Sequence, residues 1–372
     1  MSDPRRPAQG FDLQLMTTHV PVLSGCVTRA IDAVAWAWTA EIEWQPGRDA
    51  ALDSIVKPYA YSPATVTLDG TLVLTGWLYK VTPRKTAEGT TLTLEGASLT
   101  ADLVDSTIPT AQFKGEWTSL GVADIAQQLV APLGIQVKRV GVDGSQYVEK
   151  FDVVQSQPTE TYAELLTRLG FQRGMLVTTA PGGQLLLTVA NVNATQVAIL
   201  QEGKPPVTAW GGSFDGRRRF HTYVALAQDD FGETVSGEET DSGCTPTQRR
   251  TTFVAGDATG GNAAQVAAWR RSAALADGLE LRLPVDGWTP PYSSQLWEPN
   301  TIVVVQAPTL FLGSAMPFLI RETEHVYDGN GRTTVLGIVP PETYTGAAIR
   351  EQWGTVAAGP PAPFVEGSLD LS

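Results

Sequence analysis

Between Val34 and Trp44 every even position is apolar: Val34, Trp36, Trp38, Ala40, Ile42 and Trp44. The odd positions hold Ala35, Ala37, Thr39, Glu41 and Glu43, all small or acidic. Successive side chains of an extended chain point to opposite sides, so this period of two puts one heavily apolar face on a strand. A helix, the competing reading for an Ala-containing stretch, would scatter the tryptophans around its cylinder. The first hundred residues therefore read as β. Downstream, Thr65-Val66-Thr67-Leu68 and Thr71-Leu72-Val73-Leu74 flank Asp69-Gly70. Asp-Gly between alternating runs predicts a hairpin, because a tight two-residue turn needs positive φ at both central positions. Trp77 to Val81 and Thr90 to Leu94 predict another strand pair.

The pattern then changes. Within Ser119 to Val130, Val122, Ile125, Ala126, Leu129 and Val130 have helical spacing, and Pro132 and Gly134 stop the run. Phe151 to Val153 predicts a short strand. Thr161 followed by Glu164 is a capping box opening a second helix, with Tyr162, Leu165, Leu166 and Leu169 on one face. Gly174 to Val189 reads as a hairpin turning at Pro181-Gly182-Gly183. The third region returns to β at Phe220–Ala227, Leu279–Leu283, Thr301–Gln306, Phe318–Tyr327 and Arg332–Val339, with Asp328-Gly329-Asn330-Gly331 joining the last two. One helix interrupts them. Asn262 is its N-cap, Val266, Trp269 and Ala273 share a face, and Gly278 ends it. The polar stretch Gly232 to Gly261 reads as a mobile loop, and Ala357 to Ser372 as a Gly/Pro-rich tail. No short-period repeat is visible.

With 372 residues the chain has length for two or three domains at ~150 residues each. Asp plus Glu is 39 against 26 Lys plus Arg, a formal charge of −13. That balance argues against a general nucleic-acid binder, which needs cations to release counterions from phosphate. Charged residues are only 17% of the chain and tryptophans number ten. Few charges and many Trp fit a protein that hides surface in an assembly. Cys26 and Cys244 lie far apart and form no metal or redox motif. Two buried free thiols are the favoured reading, with a long-range disulfide left open. The N-terminus lacks a signal-peptide core, and no apolar run approaches the ~18 residues of a membrane span. Cytoplasmic synthesis and folding are therefore expected.

No catalytic constellation stands out, and no cofactor is expected. His19, His221 and His325 sit in no metal spacing, and a nucleophile elbow is missing. Glu322 and Glu324 would share a strand face, and Glu238 and Glu239 would point apart. A solvated face is the simpler reading of both pairs than glycan hydrolysis. Gly256 to Gly261 has P-loop glycine spacing, but Asn262 and Ala263 stand where Lys and Ser/Thr are required. The stretch reads instead as a loop into the capped helix. Arg217-Arg218-Arg219 is the one dense basic run; in so acidic a chain it reads as a partner for an acidic protein or sister subunit.

Several segments together resemble the baseplate hub proteins of Mu-like contractile-tailed phages. Ser98 to Asp105 resembles the segment that follows that family's first β domain. Pro158-Thr159-Glu160-Thr161 with the helix to Leu169, then Gly174 to Val177, resembles its middle domain. Trp269-Arg270-Arg271, Gly287-Trp288 and Leu296-Trp297 with Pro299-Asn300 resemble a later stretch. Phe318 to Val335 resembles its closing hairpin. The matches run in order from about residue 30 to 345.

The resemblance implies a β-rich α+β structural protein rather than an enzyme. Two β-barrel-like tube domains would flank a small α+β domain and assemble as a homotrimeric ring. Domains are then expected at 1–106, 107–195 and 196–345, with a tail at 346–372. The hairpin within 318–339 is a candidate to complete the first barrel. Six similar domains per trimer would join a six-fold tail tube or its initiator to a three-fold central spike. Baseplate wedge proteins would be further partners, DNA would only pass through, and the location would be the virion tail after assembly in the host cytoplasm. Type VI secretion spikes are implied to carry a related module. Trp36, Trp38, Trp288, Trp297, Arg217, Arg218 and Arg219 are the candidate subunit-interface residues, with core packing the competing fate of the tryptophans. The rivals are a tail-associated peptidoglycan hydrolase, a receptor- or carbohydrate-binding tail module, and a bacterial secretion spike.

Overall fold

The alternating segment folds as expected. In the structure, a computed structural model describing residues 10–87, 89–109, 116–228, 234–259 and 263–347, Ala37–Glu43 is a strand. It buries Trp38, Ala40 and Ile42 and exposes Ala37, Thr39 and Glu43. It is the fourth strand, β4, after β1 (Phe11–Leu15), β2 (Thr18–Val20) and β3 (Ser24–Ala30). Helix α1 (Ala50–Ile55) follows, then β5 (Pro63–Leu68), β6 (Thr71–Lys85) and β7 (Thr90–Ser98). The Asp-Gly turn joins β5 to β6, with φ of 48° at Asp69 and 81° at Gly70. Strand β6 is longer than either run that signalled it. It carries the second arm of that hairpin and continues through Trp77 into its pairing with β7.

The middle of the chain holds α2 (Ala101–Asp105), β8 (Glu116–Leu120), α3 (Val122–Val130), β9 (Val137–Val140), α4 (Ser145–Val148) and β10 (Phe151–Gln155). Next come α5 (Tyr162–Gln172), β11 (Leu176–Thr179) and β12 (Leu185–Thr188). Strand β8 pairs with β10, and β12 pairs with both β11 and β9. The capping box is present: Thr161 Oγ1 accepts from the Glu164 amide at 3.1 Å, and the Glu164 carboxylate accepts from the Thr161 amide at 2.8 Å. Apolar faces of α3 and α5, including Ile125, Leu129, Leu165 and Leu169, close one core.

Strands β13 (Gln196–Gln201) and β14 (Gly212–Phe214) lead into a separate three-stranded sheet of β15 (Thr222–Gln228), β16 (Thr234–Thr240) and β17 (Arg250–Thr259). Here one expectation is corrected. Gly232 to Gly261 is not simply a loop, because β16 and β17 both lie within it, and Gly256 belongs to a strand. Thr-rich alternation suits a pleated, half-buried surface even when few residues are apolar. Helix α6 (Ala263–Asp277) packs on this sheet through Val266, Ala267 and Ala274. Its expected N-cap, Asn262, lies outside the described residues, as does the tail from 348 onward. Then come β18 (Leu279–Asp286), β19 (Ile302–Ala307), β20 (Leu312–Asp328) and β21 (Gly331–Val339).

One 13-stranded sheet runs through the molecule in the order β14-β18-β21-β20-β3-β4-β7-β6-β5-β1-β2, with β19 and β13 branching from β20. It is open, ending at β2 and β14, so neither β region closes a barrel ladder of its own. Within it the same arrangement occurs twice. The ladder β5-β6-β7-β4-β3 is antiparallel at every step, and so is β19-β20-β21-β18-β14. In both, the five strands occupy matching places in chain order. Bulges recur at matching places too, between Val66 and Thr67 and between Leu78 and Lys80 in one copy, between Val305 and Ala307 and between Ile320 and Glu322 in the other. Each copy has its own core, one around Trp38, Ile42, Leu68 and Leu94, the other around Trp297, Phe318, Leu283 and Leu336.

Candidate assembly surfaces

The two copies meet where β20 pairs with β3, Glu322–Tyr327 against Gly25–Ala30. The junction is polar. Thr323 and His325 of β20 face the buried side together with Arg29 of β3, and all three are inaccessible or nearly so. Arg29 donates through Nη2 to the Trp297 carbonyl at 2.7 Å, and its guanidinium lies 5.8 Å from the Trp36 ring centre. The nearest carboxylate, Glu298, is 4.0 Å away. Burial pushes the Arg29 pKa down to about 10, with Glu298 pulling the other way, so it stays charged at neutral pH. Burial, with the Arg29 charge second, holds His325 well below the ordinary imidazole value, so this ring is neutral. On the outer face Arg282 reaches Glu324 at 2.6 Å and Glu322 at 3.3 Å, so the two glutamates share one cation on a half-exposed surface. Cys26 donates to Glu324 at 3.5 Å, and burial followed by the Glu324 charge pushes its thiol up to about 12. Both cysteines are free thiols, but only Cys244 is buried as expected; Cys26 is half-buried, because it sits on the outer face of β3 beside Glu324.

The four candidate tryptophans gather around this junction and belong to the subunit interior. Trp36 donates to the Ala30 carbonyl at 2.8 Å and Trp288 to the Val326 carbonyl at 3.0 Å. Trp38 and Trp297 are at most 1% exposed. The segment between β18 and β19 threads the junction, giving Trp288 and Leu296 to one core and Trp297 to the other. None of the tryptophans among the described residues is exposed.

The arginine run lies at the opposite end of the sheet, beside β14. Arg217 is clamped on Asp215 through Nε at 2.8 Å, and this contact holds the Asp215 carboxyl down to about 2. Arg219 makes a two-pronged pair with Asp241 at 2.7 and 2.8 Å. Burial would raise Asp241, but Arg219's hydrogen bonds and charge outweigh it and hold the carboxyl below its usual value. Arg249 donates to the Arg217 and Arg219 carbonyls at 2.6 and 2.9 Å, so this corner is stiffened from within. Next to it, Phe214 meets Phe311 edge-on, ring centres 5.9 Å apart, both well exposed. Sequence reading missed Arg29, Phe214 and Phe311. Nothing in a lone Arg or Phe marks it before its strand is placed. The structure separates the arginine corner from the tryptophans.

Among the described residues no group of three or more His, Cys, Asp or Glu could hold a metal ion. No described helix is long and apolar enough to cross a membrane. A hollow of about 770 Å³ lies between α5 and β17 and is lined mainly by apolar groups such as Phe171, Val254 and Val266.

Comparison with known proteins places these features. Residues 100–189 match the second domain of gp44-like baseplate hub proteins, and residues 259–346 match the fourth domain of the Mu phage baseplate assembly protein GpP. The baseplate hub protein gp44 of Escherichia phage Mu is 26% identical over 330 residues, covering 86% of this chain and 84% of that protein. The 43 kDa tail protein of prophage MuSo2 from Shewanella oneidensis is 26% identical with a TM-score of 0.76, over 90% of this chain and all of that one. A type VI secretion system component of E. coli, itself described as structurally similar to phage tail proteins, shares the fold. Its TM-score is 0.54 at 12% identity, over 88% of this chain and 76% of that chain.

Proposed function

We propose, from the premise that this chain is a baseplate hub protein of the Mu-like phage type, that three copies close into a ring at the tip of the tail tube. Two copies of one strand arrangement per chain carry the reading. Three chains then present six similar modules, so one face can meet a six-fold tube or its initiator and the other a three-fold spike. The middle α+β unit, within 107–195, would sit outside the ring beside the wedge proteins, and the β modules would fall within 1–106 and 196–345. The arginine corner, with Arg217 and Arg218 exposed and Arg219 anchored on Asp241, is the contact we assign to the sister subunit. The buried tryptophans, away from that corner, pack the two β modules together within each subunit. A net charge of −13 suits a channel wall that repels passing DNA rather than gripping it. Assembly in the host cytoplasm precedes incorporation in the virion tail.

Buried tryptophans favour this reading over a carbohydrate-binding tail module, which would present them on its surface. Sedimentation of the purified chain, with particle images, tests the proposal. The expected result is three times the 39.7 kDa chain mass and a ring with a central hole. A monomer without a hole at every concentration and salt tried would overturn it. A lytic band in a peptidoglycan zymogram would instead favour the hydrolase reading.

A further inference from the structure

The junction between the two modules inside one chain has a vacant counterpart on each side of that chain. In module two, the half of β20 beyond its bulge pairs with β3 through its outer edge, and Thr323 and His325 are sealed there. In module one, the half of β6 beyond its bulge has, among the described residues, β7 on one edge only. Strand β5 stops opposite Trp77. Counting from the bulges puts Lys80 in the place of Glu322, Val81 in that of Thr323 and Lys85 in that of Tyr327. Unlike their counterparts, Lys80, Thr82, Pro83, Arg84 and Lys85 are exposed. The strand matching β3 is β14, which among the described residues forms a ladder with β18 alone and is exposed along its whole length.

We infer that Lys80–Lys85 of β6 pairs antiparallel with residues 210–215 of a second copy of this chain, repeating between subunits the β20–β3 junction within each. The inference rests on the ring reading and names the contact that closes it. The internal junction sets the register: Glu322 faces Ala30 and Thr323 faces Arg29. The chain-order match of β3 with β14, taken through β4 and β18, puts Val27 at Gly212 and Ala30 at Asp215. Lys80 then faces Asp215, and Val81 faces Phe214. The first pair is of opposite charge and the second apolar, as cross-strand neighbours that stabilise a sheet should be. Lys80 keeps Glu95 at 2.6 Å and Asp215 keeps Arg217, so the four charges alternate in sign. Pro83 withholds one N–H from the open edge. Pro and Lys on an edge discourage indiscriminate strand addition and leave side-chain match to choose the partner. The contact joins two different surfaces, so it is head-to-tail, the kind of contact that builds a ring when three successive rotations close.

Disulfide trapping tests the register. In a Cys26→Ser, Cys244→Ser background, Val81→Cys with Phe214→Cys should oxidise to covalent dimers and then closed trimers on a non-reducing gel. Val81→Cys with Gly211→Cys, displaced beyond the ~7 Å reach of a disulfide, should not link. A sedimenting trimer that fails to link at 81 and 214, or links only to dimers, overturns the junction and leaves the ring standing. A wild-type monomer removes the ring itself. If the cysteine variants misfold, Lys80→Glu serves instead. It should weaken trimer association by about tenfold, with recovery on adding Asp215→Lys. Folded protein showing no weakening, or no recovery, overturns the proposal equally.

Discussion

Arg29 is a buried cation in a polar seam, held by one carbonyl and one aromatic face, with the Glu298 carboxylate 4.0 Å away. Removing it leaves the Trp297 carbonyl without its donor and opens a void against Trp36. A hydrogen bond from a charged donor contributes roughly 1.5–3 kcal/mol, and lost packing adds to that. Arg29→Ala should therefore lower the urea unfolding free energy by about 2–4 kcal/mol. A change under about 0.5 kcal/mol would show that the seam does not depend on this residue. His325 makes a second claim, through pH. Its folded-state pKa is depressed, so in mildly acidic solution the unfolded chain binds the extra proton more readily than the folded one. Stability is then intact above the unfolded imidazole value of about 6.5 and falls below it, by at most about 1.4 kcal/mol per pH unit. The loss continues until the folded pKa is passed. His325→Gln should flatten the stability profile between about pH 6.5 and pH 5, read by thermal melts across that range. An unchanged slope would place the acid sensitivity elsewhere.

Elements differ in how openly the sequence announces them, and the reasons are physical. The Asp69-Gly70 hairpin was legible because the turn itself dictates residue types, and Thr161 with Glu164 because the cap does. Thr161→Ala should cost about 1 kcal/mol, seen as a lower melting temperature, since α5 then begins with unpaired amides. Tight strand contacts are specified by absence instead. A Cβ at Gly96 would stand 2.1 Å from the Trp77 carbonyl oxygen and 2.4 Å from Trp38 Nε1. Gly96→Ala should cost about 1–3 kcal/mol or more, or prevent soluble expression, because the neighbour in the way is backbone. Strand β14 was invisible, since three residues cannot display a period. Strands β16 and β17 were misread because Thr and Gly on a thin sheet look like loop. The duplication, implied by the family resemblance, leaves no repeat in the residues themselves for another reason. Position in the ladder constrains burial and pairing but not identity, so Pro83 can occupy the place that His325 holds in the other copy. A long insertion, β15 to α6, also separates β14 from β18 and breaks any sequence period.

At the scale of the whole molecule, charge and assembly pull against each other. Each chain carries −13, so three in a ring carry −39. The contacts assigned to the ring are locally complementary, with Lys80 facing Asp215 and the arginine corner beside it. Salt distinguishes the two effects because they act over different distances. At about 10 mM ionic strength the screening length is about 30 Å, which lets whole subunits repel one another; at about 150 mM it is about 8 Å. Pairs in contact across a strand ladder are screened far less than that long-range field. Net repulsion should therefore dominate the salt response, and the trimer should tighten as salt rises over this range, by sedimentation at fixed protein concentration. A trimer that loosens with salt would instead make ion pairs the main attachment, and Lys80→Glu would then be far more damaging than the rest of the junction. The same field sets the response to DNA. With a formal charge of −13 on each chain, the trimer should fail to retard a labelled duplex even at about 50 mM salt, where such binding is strongest. Retardation that disappears on substituting Arg217 and Arg218 would move those arginines from the subunit contact to the channel wall.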